Sequence, residues 1–155
     1  MELADILVPD GVLYCTDVAN KRQLFTQMAA IAAHLTGLEP QDITEAITSR
    51  EALGSTGLGN GLAIPHGKLA GLKQVQAVFA RIDPPIDFDS VDDQPVDLVV
   101  MLLAPIGFGA DHLKALSRVA RLLRTESVVS ELRSLRDPQA LYRVLTAPSQ
   151  AHYAA

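Results

Sequence analysis

At 155 residues the chain is about one domain long, so a single compact domain over 1–155 is expected, with its core in about 3–147 and a frayed tail over 148–155. Hydrophobic residues at 48% and charged residues at 20% exclude a disordered, collagenous or coiled-coil chain, and thirteen Lys and Arg against eighteen Asp and Glu leave a formal net charge of −5. That charge speaks against nucleic acid or an anionic membrane as partner, Cys15 alone excludes an intramolecular disulfide framework, and no apolar run reaches the ~18 residues of a spanning helix; a soluble, cytoplasmic protein without direct membrane insertion is expected.

Asn20 can cap a helix from about Lys21 to Thr36, with Leu24, Met28, Ile31 and Leu35 at helical spacing before Gly37 stops it. Pro40 suits the first turn of a shorter helix through Ile43, Ala46 and Ile47 that runs toward Gly54 and carries Arg50 near its exit. Val75 to Ile82 has apolar or small residues on both alternating sets, as a central strand does, and Val96 to Ala104 is an apolar run bounded by Pro95 and Pro105, which places a second strand centrally in the sheet. Asp111 can cap a helix with Leu113, Leu116, Ala120 and Leu123 as its apolar stripe, which puts His112 in the first turn. A further helix over Val128 to Leu135 and one opened by Asp137-Pro138 through Leu145 complete the pattern. Strands interspersed with helices through irregular connections point to an α/β domain with a mixed sheet.

The chemistry is concentrated between Arg50 and Lys68. Gly54, Gly57, Gly59, Gly61 and Gly67 are half of the ten glycines, so this backbone either turns sharply or is approached closely. A P-loop fails, because counting back from Gly67 and Lys68 lands on Leu62 and Leu69 offers no hydroxyl; the dinucleotide pattern fails too, because Leu62 stands where its third glycine belongs and no convincing strand leads in. His66 remains, framed by Pro65 and by Gly67, which leaves one side of the ring uncluttered. It is either a loop histidine that caps a turn or a nucleophile able to form a covalent intermediate once its other ring nitrogen is oriented.

Arg50 offers a planar donor set for phosphate oxygens and His112 an imidazole at a helix start; with His66 they can enclose one phosphoryl group, or they can be a solvated helix-end cation and a surface histidine. Lys114, Arg118, Arg121 and Arg124 against Asp111 make the same helix a basic face, which either complements the helix dipole or steers an acidic partner. Cys15 reads as core, His34 as a helix-surface residue and His152 as part of the tail; no spacing supplies a third zinc ligand beside His66 and His112. Asp87, Asp89, Asp92 and Asp93 around Phe88 read as a solvated turn.

The run Arg50-Glu51, Leu-Gly-Ser-Thr-Gly-Leu-Gly-Asn-Gly-Leu-Ala-Ile-Pro-His66-Gly-Lys68 and the later His112-Leu-Lys-Ala-Leu closely resemble the fructose- and mannitol-type enzyme IIA domain of the bacterial phosphoenolpyruvate-dependent phosphotransferase system, most of all its nitrogen-regulatory branch. The similarity extends from about Leu3 to Leu145 and includes Pro85 to Phe88 and Gln94 to Leu98; before His112 the chain reads Pro-Ile-Gly-Phe-Gly-Ala-Asp, where relatives often carry a more polar loop with Glu. The resemblance implies a mixed sheet with helices on both faces, His66 as phosphoryl acceptor, and Arg50 and His112 as its neighbours. It also implies in-line transfer from an HPr-like phosphohistidine to Nε2 of His66, without metal or cofactor, and explains the surrounding glycines by docking of the donor. The protein would be a phosphotransferase component that regulates rather than turns over a small molecule, with potassium transporters, sensor kinases or stringent-response enzymes as targets. Nothing at either end resembles the fused IIB or IIC domains of sugar transporters, so a free-standing regulator is expected; a sugar-transport IIA handing phosphate to a IIB component, or a binding module with a structural His66, are the alternatives.

Overall fold

Asn20 accepts a hydrogen bond from the Gln23 amide at 2.8 Å, and the helix it caps, α1 (Lys21–Thr36), ends at Gly37 with φ +78°. Helix α2 (Pro40–Glu51) begins on its proline, whose missing N–H is no loss there. The computed structural model, which describes residues 1–107 and 109–148, continues with α3 (Gly109–Arg124), α4 (Glu126–Ser134) and α5 (Pro138–Thr146); Asp137 caps the last by accepting from the Ala140 amide. The expected frayed tail beyond Pro148, and His152 in it, lie outside the described residues.

The strands are β1 (Val12–Cys15), β2 (Gly57–Gly59), β3 (Leu62–Ala63), β4 (His66–Leu69), β5 (Gln76–Ile86) and β6 (Val96–Pro105). They form one sheet in the order β1-β5-β6-β3-β2, with β4 also pairing β6. The pairs β1·β5, β3·β6 and β4·β6 are parallel, whereas β5·β6 and β2·β3 are antiparallel. Strand β6 is therefore central, and the α/β architecture with a mixed sheet is the expected one.

Because successive strand residues point to opposite faces, β5 and β6 feed two cores. Phe79, Leu98, Val100 and Leu102 pack with Val119, Leu132, Leu141 and Leu145, so α3, α4 and α5 cover one face. Ala80, Val99, Met101 and Leu103 pack with Leu24, Met28, Ile43 and Ile47, so α1 and α2 cover the other. Burial on both sides explains why these strands read as near-continuous apolar runs. Among the described residues no helix is long and apolar enough to cross a membrane.

The structure corrects several expected details. Strand β5 continues past Ile82 to Ile86, and α4 starts at Glu126 rather than Val128. Helix α3 begins at Gly109, so Asp111 lies inside its first turn instead of capping it. The buried face of α3 is also rotated toward His112: His112, Ala115, Val119 and Leu122 recur at steps of three and four and face the sheet, Leu123 of the expected stripe is buried with them, Leu116 and Ala120 pack at the edge, and Leu113 is 67% exposed. That rotation buries Arg118, which pairs with Glu2 at 3.3 Å, and leaves Lys114, Arg121 and Arg124 as the exposed cations of the helix.

Candidate functional site

The glycine-rich segment turns sharply, and it does so in the interior of a hydrogen-bonded framework. Gly59, Asn60 and Gly61 all have positive φ (+88°, +58° and +82°), the left-handed conformation that glycine and asparagine adopt most readily, and they link β2 to β3. Arg133 grips this turn from the end of α4: Nε and Nη2 each donate to the Asp97 carboxylate at 2.9 Å, and Nη2 also donates to the Asn60 carbonyl at 2.5 Å. A Cβ on Gly61 would fall 2.5 Å from Arg133 Nη2 and 2.8 Å from Asp97 Oδ1, so a side chain there would displace the two groups that hold the turn. Asp92 accepts from the Asn60 amide at 2.9 Å, and this bond, with the one from the Gln94 amide, holds its carboxyl below the usual range. The acidic cluster is thus a clamp on the loop as well as a turn, and Phe88 within it is fully buried against Phe25 and under Lys21.

His66 is the first residue of β4. Its register partner Leu102 belongs to the α3-side core, and the partner of Gly67, Leu103, to the α2-side core, so the strand alternation sends His66 and Lys68 toward α3 and presents Gly67 to α2. A Cβ on Gly67 would lie 3.2 Å from Ala46 Cβ and 3.3 Å from the Ala46 carbonyl carbon. The missing Cβ of Gly67 therefore makes room for the helix backbone, which corrects the expectation that Gly67 clears one side of the His66 ring. The ring is half-buried, and Nδ1 stands 2.8 Å from the Ile64 carbonyl oxygen. A carbonyl can only accept, so Nδ1 carries a proton, and in the neutral ring the lone pair is on Nε2.

His112, expected either at the site or at the surface, is buried at 7% exposure, with its ring centroid 5.5 Å from that of His66 and the planes at 69°. Its Nε2 is buried and has no hydrogen-bond partner among the described residues. Burial pushes its pKa down, and the neighbouring His66 ring and the Lys68 ammonium push in the same direction. Arg50 donates from Nη1 to the Gly54 carbonyl at 3.0 Å, at the point where α2 gives way to the glycine-rich segment. No hydrogen bond or ion pair among the described residues joins it to either histidine. The structure therefore brings His66 and His112 together, and adds Lys68, which the sequence placed in the family-like run and against a P-loop but gave no role at the site. The signal for Lys68 was its two-residue spacing from His66 in a strand.

The remaining candidates stay apart from this pair. Cys15 is buried in the core with its thiol pushed up by burial and by Asp17, and His34 is exposed on α1. Among the described residues no group of three or more His, Cys, Asp or Glu side chains is arranged to hold a metal ion.

Residues 5–147 match the model of the family described as "Phosphoenolpyruvate-dependent sugar phosphotransferase system, EIIA 2". A "Nitrogen regulatory protein" of Bradyrhizobium diazoefficiens is 51% identical over 148 residues, covering 96% of this chain and 97% of the relative. The protein of the same description from Escherichia coli is 41% identical over 147 residues, covering 94% and 90%. Among solved structures, nitrogen regulatory protein IIA-Ntr from Neisseria meningitidis superposes with a TM-score of 0.86 at 34% identity, covering 93% of this chain and 99% of that one.

Proposed function

The chain belongs to the phosphoenolpyruvate-dependent sugar phosphotransferase system EIIA 2 family, and from that premise we propose that it is a cytoplasmic phosphocarrier of the nitrogen-regulatory kind that takes a phosphoryl group on Nε2 of His66. The observation that carries this reading is the 2.8 Å bond between His66 Nδ1 and the Ile64 carbonyl, which leaves the other nitrogen of a half-buried ring as a nucleophile.

In the proposed step the Nε2 lone pair attacks the phosphorus of a phosphohistidine on an HPr-like donor. The donor's P–N bond breaks and its electron pair returns to the donor ring. The proton of His66 stays on Nδ1, so the phosphorylated ring is cationic and its bond to the Ile64 carbonyl becomes charge-assisted. Both bonds exchanged are P–N bonds, so the protein has only to position the groups and to balance charge. Lys68 and Arg50 supply positive charge, and the Nε2 edge of His112 meets a phosphoryl oxygen.

A phosphoryl group adds roughly −1.5 to −2 of charge at a partly exposed position, which changes the partners the surface accepts. Potassium transporters, sensor kinases and stringent-response enzymes are the targets this reading proposes. Incubation with phosphoenolpyruvate, enzyme I and an HPr-like protein should place acid-labile, base-stable phosphate on the wild type and none on His66→Ala. Label that persists in His66→Ala would overturn the assignment, and label that passes on to a sugar-specific IIB protein would replace regulation with transport.

A further inference from the structure

The Ile64 carbonyl fixes His66, but Ile64 sits at the end of a glycine-rich excursion and must itself be fixed. The structure traces that constraint back to Glu51, the last residue of α2, whose side chain is 7% exposed. Its carboxylate accepts from Lys21 Nζ at 2.9 Å, from the Thr56 amide at 3.1 Å on each oxygen, and from Thr56 Oγ1 at 2.6 Å. Three of the four bonds thus converge on Thr56, which is more than pairing with one ammonium requires. Thr56, itself buried, accepts from the Ile64 amide at 3.1 Å, and the Ile64 carbonyl accepts from His66 Nδ1. The chain leaves through β2, turns and returns through β3 between Thr56 and Ile64, so this bond closes the base of the excursion.

We propose that Glu51 is a positioning residue that sets the tautomer of His66 through Thr56 and Ile64; its effect on phosphoryl transfer rests on His66 being the acceptor. An ionised carboxylate suits the task because it accepts from all its neighbours at once: an ammonium, an amide and a hydroxyl. A carboxamide turns an NH2 group toward one of them. Once Thr56 loosens, Ile64 loses its anchor, and an imidazole released from the carbonyl is free to carry its proton on Nε2, which removes the nucleophilic lone pair.

Nitrogen-15 NMR of the imidazoles reports which ring nitrogen carries the proton without any transfer reaction. The wild type should show His66 protonated on Nδ1. Glu51→Gln should shift His66 toward the Nε2-protonated form and slow transfer from a phosphorylated HPr-like protein about tenfold or more. Thr56→Val, which keeps the shape and removes the hydroxyl, should shift both readouts in the same direction, and Thr56→Ser should restore both. A His66 tautomer unchanged in Glu51→Gln overturns the proposal whatever the transfer rate; if that variant does not fold, an unchanged tautomer in Thr56→Val does so. A tautomer that responds to Glu51→Gln in a protein whose wild type takes no label on His66 upholds the positioning role and removes the acceptor reading alone.

Discussion

Strand β4 and the first turn of α3 each contribute one imidazole to the same place, and the two are prepared in opposite ways. His66 is half-buried and tied by Nδ1 to a carbonyl, whereas His112 is buried with an Nε2 that finds no partner among the described residues. A hydrogen bond decides which atom of the first ring can react. Burial, helped by the neighbouring His66 ring and the Lys68 ammonium, decides that the second ring favours neutrality. Two histidines 5.5 Å apart are therefore not interchangeable, and the proposed function gives them different parts, the first as nucleophile and the second as a receiving edge for an anion.

Substitutions can break or sharpen this contrast. His112→Gln removes the receiving edge and leaves the nucleophile, so the rate of phosphoryl transfer should fall about tenfold to a hundredfold, as expected for loss of a hydrogen bond to a charged group. Stopped-flow transfer from the phosphorylated donor measures it, and an unchanged rate would take His112 out of the site. Gly67→Val tests the mounting of β4 instead: the new side chain meets Ala46, and urea denaturation should show a loss of about 1–3 kcal/mol. The smallest effect concerns charge. With its pKa lowered in the folded state, His112 takes up its proton more readily when unfolded, so stability should fall as pH drops below about 6.5. Lys68→Met removes one cause of that lowering; the His112 titration followed by proton NMR should move upward, and the acid-side loss of stability should shrink.

Much of the fold was legible because its signals are local. Asn20, Gly37, Pro40 and the Asp137-Pro138 pair mark helix ends by backbone chemistry that does not depend on the rest of the chain. The doubly buried β5 and β6 were legible from composition alone. What escaped was set by tertiary contact. The stripe of α3 was legible only in part: Leu123 is buried and Leu116 and Ala120 pack beside it, but Leu113 is equally apolar and points outward, and only the sheet beneath selects His112, Ala115, Val119 and Leu122. Gly67 gave no hint of Ala46, which approaches from another element. At the site, His66 and its neighbour His112 were named in advance, while the roles of Thr56, Ile64 and Lys68 depended on bonds and a strand face that sequence spacing does not spell out.

The residue before His66, Pro65, accepts from the Leu102 amide at 2.9 Å, and His66 itself is in register with Leu102 on the middle strand of the sheet. On the proposed function, an acceptor fastened to the buried middle strand leaves little room for a change of contour when cargo arrives. Loaded and empty carriers would then look alike in outline, and whatever reads them downstream must sense electric potential rather than shape.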